Sequence, residues 1–193
     1  NYAHPAMPQG AEPGILKGMY LLQGGGRGKV RVNLFGSGTI LREVLAAAAT
    51  LEQDYGVPAD VFSVTSFSEL RREALDVERW NMLHPGEAPR TSHVQQCLAG
   101  QQGPFVAATD YMRTVPDQIR EWVPGRYVVL GTDGFGRSDS RAALRGFFEV
   151  DRRWVTVAAL KALADEGRLD VATVKAAIER FGIDPEKPNP VTA

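Results

Sequence analysis

Four short apolar runs, each followed by a polar or glycine-rich loop and then a stretch of helical period, constrain this chain more than any other feature. Val30, Val32 and Leu34 alternate with Arg31 and Asn33, the period of a strand. Gly36-Ser37-Gly38-Thr39 ends that strand. Ile40, Leu41, Val44, Leu45, Ala48 and Leu51 then recur at helical spacing until Gly56 stops the helix. The unit repeats at 61–65, where Ser66 and Glu69 match a capping box opening a helix toward Trp80 and Leu83. A third strand is expected at 105–108, ending in Thr109-Asp110. Met112, Val115, Ile119 and Trp122 mark the amphipathic helix after it, which Pro116 kinks or delays. The fourth run, 127–130, enters the loop 131–141. Strands alternating with helices predict right-handed crossovers and an α/β fold, a mainly parallel sheet with helices on both faces.

Beyond that loop every segment reads as helix: 142–150, 154–164, and a third from the N-cap Asp170 through Val171, Val174, Ile178 and Phe181 to a stop at Gly182. Pro185, Pro188 and Pro190 predict an extended tail. Between the second and third units, Pro85 and Pro89 enforce a loop and 93–98 reads as a short helix. Residues 15–22 read as a short helix or turn, and 24–28, four glycines around Arg27, as a flexible connection. Prolines at 5, 8 and 13 are expected to keep the opening segment extended. A chain that begins without methionine in such a connector is expected of a fragment, with 1–28 a linker and 29–193 the domain.

A length of 193 residues suits one domain, and 44% hydrophobic residues suffice for a core. The formal net charge of -1 gives no basic excess, so neither nucleic acid nor a membrane is an expected partner. No apolar run approaches the roughly 18 residues that span a bilayer, and no secretory leader is expected. A single cysteine, Cys97, excludes an internal disulfide and favours a reducing, cytoplasmic setting.

The strand ends place Ser37, Thr39, Ser66 and Asp110 along one edge of a parallel sheet. They form either a polar rim facing a ligand or simply a set of helix caps. Gly36-Ser37-Gly38 lacks the third glycine of a dinucleotide fingerprint and reads as a tight turn. His4, His84 and His93 have no metal-ligand spacing to one another or to Cys97, which reads as a small buried hydrophobe. Glu69, Glu73, Asp76 and Glu78 interleave with Arg71, Arg72 and Arg79, the composition of a solvated helix face. No catalytic, cofactor-binding or metal residue is assigned. The loop 131–141 differs in kind. Arg137 and Arg141 offer forked donors, Asp133 and Asp139 acceptors, and Phe135 between two glycines an anchor. With Ser138 they form a candidate domain or subunit contact. An internal cap and turn, or direct contact with a substrate or cofactor, are the other readings of that loop.

Gly131 to Arg141, with Gly36-Ser37-Gly38-Thr39-Ile40-Leu41-Arg42, Val64-Thr65-Ser66-Phe67, Glu78-Arg79-Trp80-Asn81-Met82-Leu83-His84-Pro85 and Thr109-Asp110-Tyr111-Met112, resembles the C-terminal part of the homodimeric pyruvate dehydrogenases. The likeness runs over essentially the whole chain. It implies a domain like the C-terminal one of transketolases, a mixed and mostly parallel sheet of about five strands flanked by helices. It implies a parent enzyme that decarboxylates pyruvate on thiamine diphosphate with Mg2+ and transfers the acetyl group to a lipoyl group of the dihydrolipoyl acetyltransferase component. The implied partners are the rest of the chain, a second copy, and that acetyltransferase. In this family the cofactor signature is Gly-Asp-Gly with a following Asn-Asn. Here Thr132-Asp133-Gly134 lacks the first glycine and no Asn-Asn pair follows, so no cofactor contact passes to Asp133 and none is expected in this fragment. The domain is then expected to support the dimer and the active-site mouth without catalysing. A docking or regulatory module for the acetyltransferase or a small effector, and the C-terminal domain of another transketolase-like enzyme, are the alternatives.

Overall fold

The computed structural model describes residues 5–193, so the first four residues of the expected connector, His4 among them, lie outside the described residues. The elements in chain order are α1 (Glu12–Lys17), β1 (Met19–Gln23), β2 (Val32–Gly36), α2 (Leu41–Tyr55), β3 (Ala59–Val64), α3 (Phe67–Leu83), α4 (His93–Leu98), β4 (Phe105–Ala108), α5 (Thr114–Asp117), β5 (Tyr127–Leu130), α6 (Arg141–Phe147), α7 (Arg152–Asp165) and α8 (Val171–Arg180). Five strands form one sheet in the order β1-β3-β2-β4-β5. β2 to β5 are parallel, and β1 lies antiparallel along the outer edge of β3.

Alternation of side chains across the strands fills two cores, one on each face. Leu34, Val61 and Val106 point to the face covered by α2, α7 and α8, where Val44, Leu51, Leu160 and Ala177 meet them. Phe35, Phe62 and Phe105 point to the other, beneath Leu70 and Ala74 of α3 and Val94 and Leu98 of α4. Phe35 is the hub of that second core. Its ring meets Phe62 edge-on at 5.5 Å and lies 5.8 Å from Phe105 and 5.9 Å from Tyr127. β2 is buried at every position; its Asn33 donates Nδ2 to Gln102 O at 3.0 Å, while Oδ1 is buried without a hydrogen-bond partner. Here the alternation in the sequence marks a central strand rather than a half-exposed one.

The fold class is as expected, and the differences are local. Residues 15–22 do not form one helix or turn. Gly18, at φ 103°, closes α1, and the chain turns directly into β1. That strand falls within the stretch 1–28 expected as a linker. Pro13 does not exclude a helix, because it sits in the first turn of α1, where the missing N–H has no intrahelical partner to lose. The glycine connection is tied down at Gly25, whose N–H donates to Asp60 Oδ1 at 2.7 Å. The helix expected from Met112 to Trp122 is broken. One turn of α5 ends at Asp117 and a separate 3-10 turn spans Arg120–Trp122. The Tyr127 hydroxyl donates to Pro116 O at 3.0 Å, so the break is held by the neighbouring strand. The tail is folded into turns at Asp184 and Asn189 rather than extended.

Caps account for most of the helix starts. Ser66 accepts from Glu69 N at 3.1 Å, but the Glu69 carboxylate turns to Arg72, so only half of the expected box forms. The complete box is at α4, between Ser92 and Gln95. Asp151 and Asp170 cap α7 and α8. The face of α3 expected to be solvated is partly used for packing. Glu78 accepts from Trp122 Nε1 at 2.6 Å and Glu73 from His93 N at 2.9 Å. Cys97 is half-buried, with its sulfur 3.4 Å from His93 Nε2.

Candidate functional site

The chain reverses direction across the sheet between β2 and β4. β2 leads outward through α2 to β3, and β3 returns through α3 and α4 to β4 on the opposite side of β2. The carboxyl ends of β2 and β4 therefore sit side by side with their following segments diverging. In open α/β sheets such a switch point leaves a crevice. Here it holds a cavity of about 720 Å3.

Its polar wall is built from three strand ends. Thr39 Oγ1 donates to Asp110 Oδ2 at 3.4 Å, and Thr132 Oγ1 donates to the Asp110 backbone carbonyl at 2.8 Å. Its apolar floor is Ile40, Leu144, Phe148 and Val150. Arg137, Arg141 and Arg145 stand on the remaining side. Arg141 and Arg145, four residues apart, lie on one side of α6, and Arg137 lies in the loop ahead of it.

Arg145 is anchored from beneath. Its guanidinium donates to Glu43 Oε1 at 3.1 Å and to Thr39 Oγ1 at 3.3 Å. Glu43 is only 7% exposed. It also accepts from Arg152 Nε at 2.9 Å and from Arg152 N at 3.2 Å. Burial pulls the Glu43 carboxyl upward, but the Arg152 hydrogen bonds and the charges of Arg152 and Arg145 outweigh it and hold the group below the usual carboxylate range.

The loop 131–141 is pinned along most of its length. A Cβ at Gly131 would lie 2.7 Å from Tyr111 O and 2.8 Å from Arg113 N, which requires glycine there. Asp133 turns inward, accepting from Arg113 N at 3.1 Å with its other oxygen 3.5 Å from Arg113 Nε. Gly134, at φ 105°, passes beneath the tail, where a Cβ would lie 2.1 Å from Pro190 O. Arg137 lies over the Phe147 ring at 4.2 Å. Asp139 accepts from Ser140 N at 2.6 Å, and Ser140 caps α6 through Ala143 N at 3.3 Å. Phe135 is left outside, 80% exposed.

The structure thus brings Thr39 and Asp110 of the expected rim together with Arg137 and Arg141 of the loop at one cavity. Ser37 is buried beside it, and Ser66 is occupied as the cap of α3. Ser138 and Asp139 line a smaller hollow of about 320 Å3 on the far side of Arg137. Ile40, Leu144, Arg145, Phe148 and Val150 were not expected at a site. The four-residue steps from Arg141 to Arg145 and from Leu144 to Phe148 along α6 are the signal for three of them, and Ile40 and Val150 carry none. Residues 131–134 do not fit a magnesium and diphosphate site, because the Asp133 carboxylate is already committed to Arg113. Among the described residues no three His, Cys, Asp or Glu side chains are grouped to hold a metal ion. No helix among them is long and apolar enough to cross a membrane.

Residues 18–151 match the family described as the transketolase-like TK C-terminal domain. The chain is similar to the pyruvate dehydrogenase E1 component of Pseudomonas aeruginosa, 60% identical over 193 residues that make up 99% of this chain and 22% of that protein. It is 54% identical to the pyruvate dehydrogenase E1 component of Escherichia coli K12, over 98% of this chain and 21% of that protein. The chain therefore spans about a fifth of the length of these curated relatives. Solved transketolases share the fold. One from Pichia stipitis superimposes with a TM-score of 0.53 at 19% identity, over 82% of this chain and 20% of that one. One from Campylobacter jejuni gives 0.52 at 17% identity, over 75% of this chain and 18% of that one.

Proposed function

The chain belongs to the transketolase-like C-terminal domain family, and from that premise we propose that it serves as the C-terminal domain of a pyruvate dehydrogenase E1 component. In this reading the whole enzyme is cytoplasmic. It decarboxylates pyruvate with thiamine diphosphate and Mg2+ and passes the acetyl group to a lipoyl group of the dihydrolipoyl acetyltransferase component. The cofactor is held by the parts of the enzyme that precede this chain, since residues 131–134 are unsuited to it. The domain itself is a buttress. It supports the assembly of two copies and the mouth of the active site, and its contact surface is the loop carrying Asp133, Phe135, Arg137, Ser138, Asp139 and Arg141.

One observation carries the contact role. Phe135 is 80% exposed while the residues around it are fixed by Arg113, the tail, Phe147 and Ser140. A large aromatic held outward on a pinned loop is the kind of anchor that a neighbouring surface covers. The test is reconstitution. A pyruvate dehydrogenase E1 component truncated before this domain should lack lipoamide-coupled turnover, and the 193-residue chain alone should show none. Supplying the chain with intact Phe135 should restore assembly and turnover, whereas a Phe135→Ser chain should restore little. Thiamine-dependent turnover by the chain alone would overturn the proposal.

A further inference from the structure

We propose that the carboxyl-terminal tail, residues 183–193, is a strap whose seating holds Phe135 outward, so that lifting the tail withdraws the contact loop from use. The functional meaning rests on the contact role proposed above, whereas the coupling of tail to loop does not. The tail reaches the loop on both sides of Phe135. On the amino side it crosses Gly134, where a Cβ would lie 2.1 Å from Pro190 O and 3.2 Å from Val191 Cα. Pro190 is buried there, while its neighbours Asn189 and Val191 are exposed. On the carboxyl side the coupling passes through Phe147. Lys187 Nζ donates to Phe147 O at 2.8 Å and lies 5.0 Å from the centre of its ring. The same ring carries the Arg137 guanidinium at 4.2 Å. Between these two points the loop is open, since Phe135 is exposed and a Cβ at Gly136 would meet nothing within 4 Å. Asp133 and Arg113 fix where the loop begins, and the tail fixes the path it takes next.

The tail is suited to seat and lift as a unit. The backbone bonds that shape its turns run within it, from Lys187 N to Asp184 O at 3.2 Å and from Thr192 N to Asn189 O at 3.0 Å. Pro185, Pro188 and Pro190 have no N–H to bond to the body, and each narrows the shapes the tail can take. Beneath the tail is a hollow of about 380 Å3, lined on the body side by Trp154, Val157 and Ile178. The tail therefore bridges the body there rather than filling its core. Lys187 is the fastening. Besides Phe147 O it donates to Glu149 Oε1 at 3.0 Å, with the two side chains 23% and 20% exposed. Charge-assisted bonds in such partial shelter are stronger than neutral ones. Glu149 itself stands at φ 63°, in the left-handed region that favours glycine. A costly backbone conformation is thus kept at the residue that receives the tail.

The test compares the 193-residue chain with two variants, Lys187→Met and a chain ending at Ile183. Methionine keeps an apolar stem beside Phe147 and Trp154 and removes the charge and the donors. In the parent, backbone 15N order parameters at Phe135 and Arg137 should be near the rigid value of about 0.85, and in both variants they should fall below about 0.6. Cleavage by trypsin after Arg137 should become at least about tenfold faster, since it follows the population of the open loop. Arg72→Ala on α3, across the sheet, should change neither readout. Exchange protection of the β2 amides should persist in both variants, which shows that the sheet is intact. If the shortened chain loses that protection, Lys187→Met alone decides. The proposal is overturned if the loop of the parent is already flexible. It is equally overturned if Lys187→Met leaves both readouts at the parent's values, or if the loop stays rigid in a folded chain without its tail. Neither readout involves a second copy or turnover. A Phe135→Ser chain that fully reconstituted the enzyme would remove the contact role, so the two proposals fail in different experiments.

Discussion

Glu43→Gln offers the sharpest reading of how the α2–α6–α7 corner is held. Glu43 is buried between Arg145, whose side chain is 13% exposed, and Arg152, whose side chain is 55% exposed. Glutamine keeps the shape and one acceptor oxygen but places an amide N–H against guanidinium donors. A hydrogen bond to a charged group contributes about 1.5–3 kcal/mol. The Arg152 side is open to solvent and falls at or below the low end of that range. The Arg145 side is sheltered and keeps more of its value. The expected loss is about 2 kcal/mol at pH 7. In a chain of this length that corresponds to roughly 4–8 °C in melting temperature. The pH dependence provides an internal control. Glu43 titrates lower in the folded chain than its ordinary value of 4.5, so it contributes stability that is complete above the unfolded value and lost as pH falls through the folded one. Urea unfolding of the parent and Glu43→Gln chains should therefore differ most near pH 7 and converge as pH drops below 4.5. A loss under about 0.5 kcal/mol at neutral pH, or an undiminished loss in acid, would refute the account.

Other positions respond differently. Gly134→Ala places a methyl against Pro190 O at a φ of 105° and should cost about 1–3 kcal/mol, read as a lower melting temperature and faster proteolysis of the tail. Phe135→Ser, by contrast, should leave the melt within about 0.5 kcal/mol of the parent, since the ring is exposed. Its effect belongs in the reconstitution assay. Burial pushes the Cys97 thiol up, and nearby Glu73 adds to that against the opposing charge of Lys17. Its reaction with a disulfide reagent at pH 8 should therefore be several-fold slower than that of glutathione, and a rate equal to glutathione's would contradict the half-buried placement.

The sequence made the βα frame legible because burial and period coincide there. Each parallel strand is short, apolar and closed by a polar turn, and α2 and α8 end at the glycines that their spacing predicts. β1 was illegible for the opposite reason. Its pattern runs only five residues, from buried Met19 to exposed Gln23, and its identity as a strand comes from the edge of β3 rather than from itself. The interrupted helix after β4 looked continuous because Val115, Ile119 and Trp122 do all face the core, but from two separate turns. At the site, single residues such as Thr39, Asp110 and Arg137 could be singled out as polar groups at strand ends. Their meeting at one cavity could not, since that follows from the order of strands in the sheet. The inward turn of Asp133 depends on Arg113, twenty positions away, and no local pattern announces it.

The placement of β1 has a consequence for the history of the folded chain. This strand precedes the other four in sequence yet stands outermost, and Met19 meets Val64 only after β2, α2 and β3 have formed the surface that receives it. It closes a long loop onto an edge that the other strands must build first, so it is expected to dock late in folding. The β-bulge between Leu21 and Gln23 shortens its regular pairing further. Backbone amides of β1 should exchange with solvent through small openings, while those of β2, two strands in, require the whole sheet to come apart. The path by which the amino-terminal segment enters the domain thus runs over an edge of the sheet. Disturbance arriving along that segment can be absorbed there before the switch-point cavity is affected.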